Sequence, residues 1–141
     1  AAAIIGDVEE AAERALGEFG RQIGMAFQIV DDILDFDGRS EEVGKPVGND
    51  LAQGILTLPA IMVIERYPED NPVTSLCRQP DDEDSLRRSL ELIQDSSILA
   101  DSFAVAGGFT AKALDALGSL EPNPSRESLE ALVSYVVQRR R

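Results

Sequence analysis

The sequence predicts an all-α fold, a helical bundle, on three observations. Apolar residues recur at steps of three and four over most of the chain. Glycines, prolines and charged residues cluster between these runs, where helices should stop. No stretch alternates apolar and polar residues as a half-buried strand would. With 141 residues, 43% of them hydrophobic, the chain can form one domain with a real core.

The first helix carries Val8, Ala12, Ala15, Phe19, Ile23, Ala26, Val30 and Leu34 in one stripe, widened by Met25, Ile29 and Ile33. A helix apolar over most of its circumference belongs in the middle of a bundle. It should end near Asp35–Phe36, ahead of Gly38. Residues 36–49 read as a loop, broken by Gly38, Gly44, Pro46 and Gly48. A second helix comes next, capped by Asn49 or Asp50, or by Thr57 just before Leu58-Pro59, and runs to about Arg66. Tyr67 to Pro80 has three prolines and no periodicity, and reads as a connector. Asp81-Asp82-Glu83-Asp84 reads as a solvated helix start, where the helix dipole favours negative charge. Leu86, Leu90 and Ile93 give that helix its apolar face. A fourth helix carries Leu99, Phe103, Ala106, Ala113 and Leu117, weakened by Gly107-Gly108. Pro122 and Pro124 separate it from a last helix with Leu129, Leu132, Val133 and Val136, which ends in Arg139-Arg140-Arg141.

Composition narrows the chemistry. A net charge of −13 argues against a nucleic-acid partner, because phosphate backbones need a clustered positive surface. It suits a bound metal ion, or plain solubility. The chain has no histidine, which removes the usual general base and the commonest zinc ligand. Its single cysteine, Cys77, forms no internal disulfide, reads as an inert thiol, and fits a reducing, cytoplasmic setting. The longest apolar run, Ile55 to Ile64, is too short for a membrane span, which takes about 20 residues. No signal peptide is visible, and a start at Ala1-Ala2-Ala3 without Met is expected of a fragment.

The candidate site lies at the end of the first helix. At about 100° per residue, Asp31 and Asp35 are only ~40° apart on the helix surface, with Asp32 beside them and Gln28 one turn earlier. Two carboxylates about 6 Å apart at an effective dielectric of about 20 repel by roughly 3 kcal/mol. The negative end of the helix adds to the repulsion. A hard divalent cation would relieve it, and Mg²⁺ takes oxygen ligands from one or two carboxylates plus phosphates and water. The plain alternative is three solvated acids at a frayed helix end. Against it stand Met25, Phe27, Ile29, Ile33 and Leu34, which a frayed surface helix does not need. In the adjoining loop Lys45 lies between Gly44 and Pro46; a lysine is a compact charge suited to phosphate, although taken alone this one reads more readily as an exposed surface residue. The glycine spacing is not that of a nucleotide-binding phosphate loop.

Taken together, GMAFQIVDDILDF, VGKPVGNDL and GILTLP resemble the trans-isoprenyl (polyprenyl) diphosphate synthases, most of all the medium- and long-chain members. The family signature is met by Phe27, Gln28, Asp31, Asp32 and Asp35, then Gly44, Lys45, Gly48 and Asp50, then Thr57 and Pro59. The last stretch, SLEALVSYVVQRR, resembles the family's final helix and basic end.

The resemblance implies an all-α bundle, Mg²⁺ as cofactor, and a homodimer or a partner chain. It implies condensation of an allylic diphosphate with isopentenyl diphosphate. Asp31 would be the main metal ligand, Asp32 and Asp35 would act through water or hydrogen bonds, and Asp50 would lie in the outer shell. Lys45 would bind the same diphosphate, Phe27 and Gln28 would sit near the reacting carbons, and Arg139, Arg140 and Arg141 near isopentenyl diphosphate. Two departures stand out. Ile55 occupies a position where many short-chain members have a second lysine, and the family's first aspartate-rich motif is absent. Residues 1–141 would thus be the C-terminal part of a synthase domain. A non-catalytic subunit of a heteromeric synthase is the second reading. A terpene cyclase ranks last, since cyclases place a different Asn/Asp, Ser/Thr and Glu motif here.

Overall fold

The computed structural model describes residues 9–36, 47–95 and 97–138. Among the described residues there are seven helices and no strand. In chain order they are α1 (Glu10–Leu34), α2 (Asn49–Ala52), α3 (Leu58–Arg66), α4 (Pro72–Arg78), α5 (Glu83–Asp95), α6 (Ile98–Gly118) and α7 (Pro124–Gln138). The all-α expectation holds. Lys45 and Arg139 to Arg141, expected at the diphosphates, lie outside the described residues.

The chain packs as two units. One comprises residues 31–104; the other comprises residues up to Val30 together with those from Val105 onward. In the first unit, Phe36, Leu51, Ala60, Val63, Val73, Leu76, Ile93 and Ile98 make one buried cluster. In the second, Phe19, Ala113, Leu117 and Val133 are buried together, with Leu16, Ile23 and Leu129 packed against them. Both clusters draw on residues far apart in sequence.

Two sequence expectations are corrected. The stretch from Tyr67 to Pro80 is not a bare connector, because α4 lies within it. Asn71 explains this. Its Oδ1 accepts from the Thr74 N–H at 3.0 Å, and Pro72 supplies a first residue that needs no N–H partner. Its Nδ2 also donates to the Val63 and Tyr67 carbonyls, at 2.9 and 2.7 Å, closing the end of α3. A helix of seven residues shows too little periodicity to be read from the sequence.

The fourth helix expected from the sequence is α6, and it runs unbroken through Gly107-Gly108. The propensity cost, roughly 1 kcal/mol per glycine, is opposed by burial of Ser102, Ala106, Ala113 and Leu117 along one side. The second correction concerns α1, which is one-sided rather than apolar over most of its circumference. Phe19, Ala26, Ile29, Val30 and Ile33 are buried, and Gln22 with them, while Met25 is 44% and Phe27 43% exposed.

Of the two starts expected for the second helix, the one at Thr57 holds for α3, which runs Leu58–Arg66, and the short α2 precedes it. Gly48 precedes α2 in the left-handed region (φ 68°, ψ 31°), and Thr57 occupies the N-cap position of α3 without a side-chain cap bond. The start of α5 is as expected. Asp82 Oδ1 accepts from the Asp84 and Ser85 N–H groups, and Asp82 Oδ2 accepts from the Ser85 hydroxyl. The Ser85 hydroxyl and these N–H groups hold the Asp82 carboxyl below its usual range.

Candidate functional site

Asp31 and Asp32 belong to the last turn of α1, and Asp35 lies in the turn that closes it. The Asp35 N–H donates to the Asp31 carbonyl at 3.3 Å, so the helical path continues as far as the third acid. Asp31 is exposed, and Asp32 and Asp35 are half-buried. Phe27, Gln28 and Asp31 all fall on the open flank of α1, opposite Ala26, Ile29, Val30 and Ile33. These exposures describe where the residues lie on α1 and assign them no role.

The support behind that flank is not visible in the sequence. Phe36, 1% exposed, anchors the end of α1 in the core of the 31–104 unit. The chain then comes back against the same turn. The Gly48 N–H donates to the Asp35 carbonyl at 2.8 Å, and the Asp50 N–H donates to Asp35 Oδ2 at 3.1 Å. Asp35 and Asp50 are thus brought together across 15 positions, through the backbone of Asp50 rather than its carboxylate. Gly48 has no side chain with which to cap α2, and the Asp35 carboxylate takes that part from a distance in sequence. Glycine suits position 48 chiefly through its backbone. Its φ is positive, and a Cβ there would overlap Leu90 Cδ2 on α5.

The donor set fits a hard cation in kind: oxygens only, from adjacent carboxylates. Among the described residues no three acidic, cysteine or histidine side chains gather closely enough to cage a metal ion. Two clefts in the 31–104 unit lie elsewhere. One, of about 440 Å³, is lined by Tyr67, Asp70, Arg88 and Glu91 among others, and Arg88 pairs with Asp70 at 3.2 Å. The other, of about 240 Å³, is lined by Leu51, Leu56, Leu76 and the exposed Cys77 among others. None of the acids singled out from the sequence lines either cleft. Ile55, the position of the second lysine in many short-chain members, is 50% exposed. No helix among the described residues is long and apolar enough to cross a membrane.

Comparison with known proteins bears on this arrangement directly. The chain is 36% identical over 138 residues to heptaprenyl diphosphate synthase component 2 of Bacillus subtilis, covering 98% of this chain and 39% of that protein. Its structure is similar to the crystal structure of a decaprenyl diphosphate synthase from Rhodobacter capsulatus. The TM-score is 0.84, with 35% identity, over 99% of this chain and 44% of that one. A polyprenyl synthase from Caulobacter crescentus, crystallised with calcium and isoprenyl diphosphate, matches with a TM-score of 0.84 and 34% identity, over 99% of this chain and 43% of that one. The chain therefore spans less than half the length of each of these relatives. The Polyprenyl synthetase family model matches residues 1–101, a span that contains the aspartate-rich turn, the Gly48–Asp50 return and α5. With its residues, its helices and its site turn agreeing on one answer, the chain belongs to the polyprenyl synthetase family.

Proposed function

We propose that this chain supplies one flank of the active site of a Mg²⁺-dependent prenyltransferase, which condenses isopentenyl diphosphate with an allylic diphosphate to make a polyprenyl diphosphate. The observation that carries the reading is the Asp31–Asp32–Asp35 turn, held by the Asp50 N–H on Asp35 Oδ2, in a chain of this family. Asp31, exposed at the open flank, would hold magnesium directly. One oxygen of Asp35 is engaged by the Asp50 N–H, which suits an outer role through water, with Asp32 beside it. When bound, the metal offsets the negative charge that grows on the leaving diphosphate. Lys45 adds a second positive charge to the same group, and charge already in place stabilises it without reorganisation. Phe27 and Gln28, one turn before Asp31, face the reacting carbons. The Phe27 ring helps to keep water from the allylic cation. Arg139, Arg140 and Arg141 bind isopentenyl diphosphate.

The test is magnesium titration of the chain with and without inorganic pyrophosphate. Binding is expected only when pyrophosphate is present, and Asp31→Ala should abolish it. No binding in either condition, or equal binding by Asp31→Ala, would sink the reading.

Residues 1–141 represent the C-terminal part of the synthase domain, and the opposing aspartate-rich motif comes from elsewhere. Met25, Phe27 and Leu132, each 43–44% exposed, suit cover by further chain, whether a homodimer mate or a second component. The name of the Bacillus relative speaks of components in that protein. Sedimentation at micromolar concentration reads this: association is expected, and a clean monomer counts against it. The exposed Cys77 suits a reducing, cytoplasmic setting.

A further inference from the structure

We infer that α5 positions the aspartate-rich turn, with Gln94 and Leu90 as its two points of contact. The inference rests on the reading of that turn as a magnesium–diphosphate site. Positions 90 and 94 are one helical step of four apart, so both side chains leave the same face of α5. Gln94 Nε2 donates to the Phe36 carbonyl at 3.0 Å, joining residues 58 positions apart. That carbonyl belongs to the residue directly after Asp35. Carbonyls at a helix C-terminus lack partners within the helix and form its negative end. A donor there both fixes the turn and lessens the negative field beside the acids. Leu90 acts four residues away, filling the space that a side chain at 48 would need. Gly48 is the residue whose N–H holds the Asp35 carbonyl.

α5 is a firm base for this. Ser89 and Ile93, the neighbours of the two contact residues, are fully buried, and Ile93 shares a core cluster with Phe36 and Leu51. Asp35 is therefore bracketed. Phe36 behind it is tied to Gln94, and Gly48 in front of it is packed on Leu90. Groups that orient a ligand without touching the metal commonly change metal affinity by 10- to 100-fold when removed, a general range of about one to two decades. Gln94 and Leu90 are positioning residues in this sense. Nothing in their local sequence marks them, since the contact is made only when α5 folds back on the end of α1.

The experiment compares Gln94→Met with Leu92→Ala in the 141-residue chain. Met keeps the length of the side chain and removes its donor. Leu92 packs against the same core and is apolar, so its truncation destabilises α5 without removing a donor from the Phe36 carbonyl. The readouts are magnesium affinity in the presence of inorganic pyrophosphate, the thermal midpoint, and amide hydrogen exchange at Gly48 and Asp50. Gln94→Met should weaken affinity about tenfold and speed exchange at both amides. Leu92→Ala should lower the midpoint at least as much and leave affinity within about twofold, as expected for loss of packing alone. Unchanged affinity in Gln94→Met, or equal weakening in Leu92→Ala, overturns the inference and leaves the proposed function standing. Failure of the unaltered chain to bind magnesium with pyrophosphate overturns both.

Discussion

Asp31→Ala, made in a protein that joins this chain to an upstream half with the first aspartate-rich motif, is expected to cut magnesium-dependent turnover by two to three orders of magnitude, a general magnitude of about 3–4 kcal/mol. Asp84→Ala is expected to leave turnover within about twofold, because an exposed ion pair contributes little. Both changes remove one negative charge from an exposed position near a helix end. They differ in setting. Asp84 opens α5 and pairs with Arg87 on the same helix. Asp31 lies on the flank shared with Gln28, one turn before a carboxylate fixed by a backbone N–H. Losing a direct metal ligand removes charge compensation at the moment when the diphosphate leaves. Steady-state rates at saturating magnesium decide the matter, and equal small effects in both variants would reject the role given to Asp31.

The 141-residue chain alone is expected to make no extended product from farnesyl diphosphate, isopentenyl diphosphate and Mg²⁺. In the proposed mechanism the leaving group is held from both sides, and the Asp31–Asp32–Asp35 turn would supply one. The acids at the start of α5 are an unsuitable substitute, since Asp82 is engaged in capping that helix through the Asp84 and Ser85 N–H groups. Product analysis by chromatography is the check. Robust elongation by the isolated chain would mean that the opposing motif is dispensable, and the division of labour proposed above would be wrong.

Much of this arrangement is legible in the sequence, and the reason is periodicity. The long helices α1, α5 and α6 show apolar steps of three and four over three turns or more, and the structure places helices there. The acids stand out in the sequence because helical spacing alone predicts Asp31 and Asp35 on one flank. What cannot be read depends on residues meeting across the chain. Asn71 organises α4 by closing α3 behind it, and neither helix shows this by itself. The sequence offers Asp35 as a candidate ligand and gives no sign of its capping bond, since α2 comes into reach only after the chain turns at Gly48. Met25 and Phe27 look like core residues in the sequence because composition counts apolar residues without knowing which neighbour is present. Gln22, at 3% exposure, shows the reverse: a polar residue on the covered side, drawn in with its Nε2 on Glu18 Oε1.

The double duty of Asp35 limits what a mutation there can mean. Its carboxylate serves the fold through the Asp50 N–H in a four-residue helix, and in the proposed chemistry it serves a cation as well. Removing it would unravel a local turn and strip an outer ligand in one stroke, so the kinetic loss would be a mixture of two causes. Any cation drawing on the same carboxylate must also share it with that N–H, which makes ligand occupancy and the folding of residues 49–52 thermodynamically linked. Protection of the Asp50 amide then becomes a reporter of what is bound, readable without any substrate turning over.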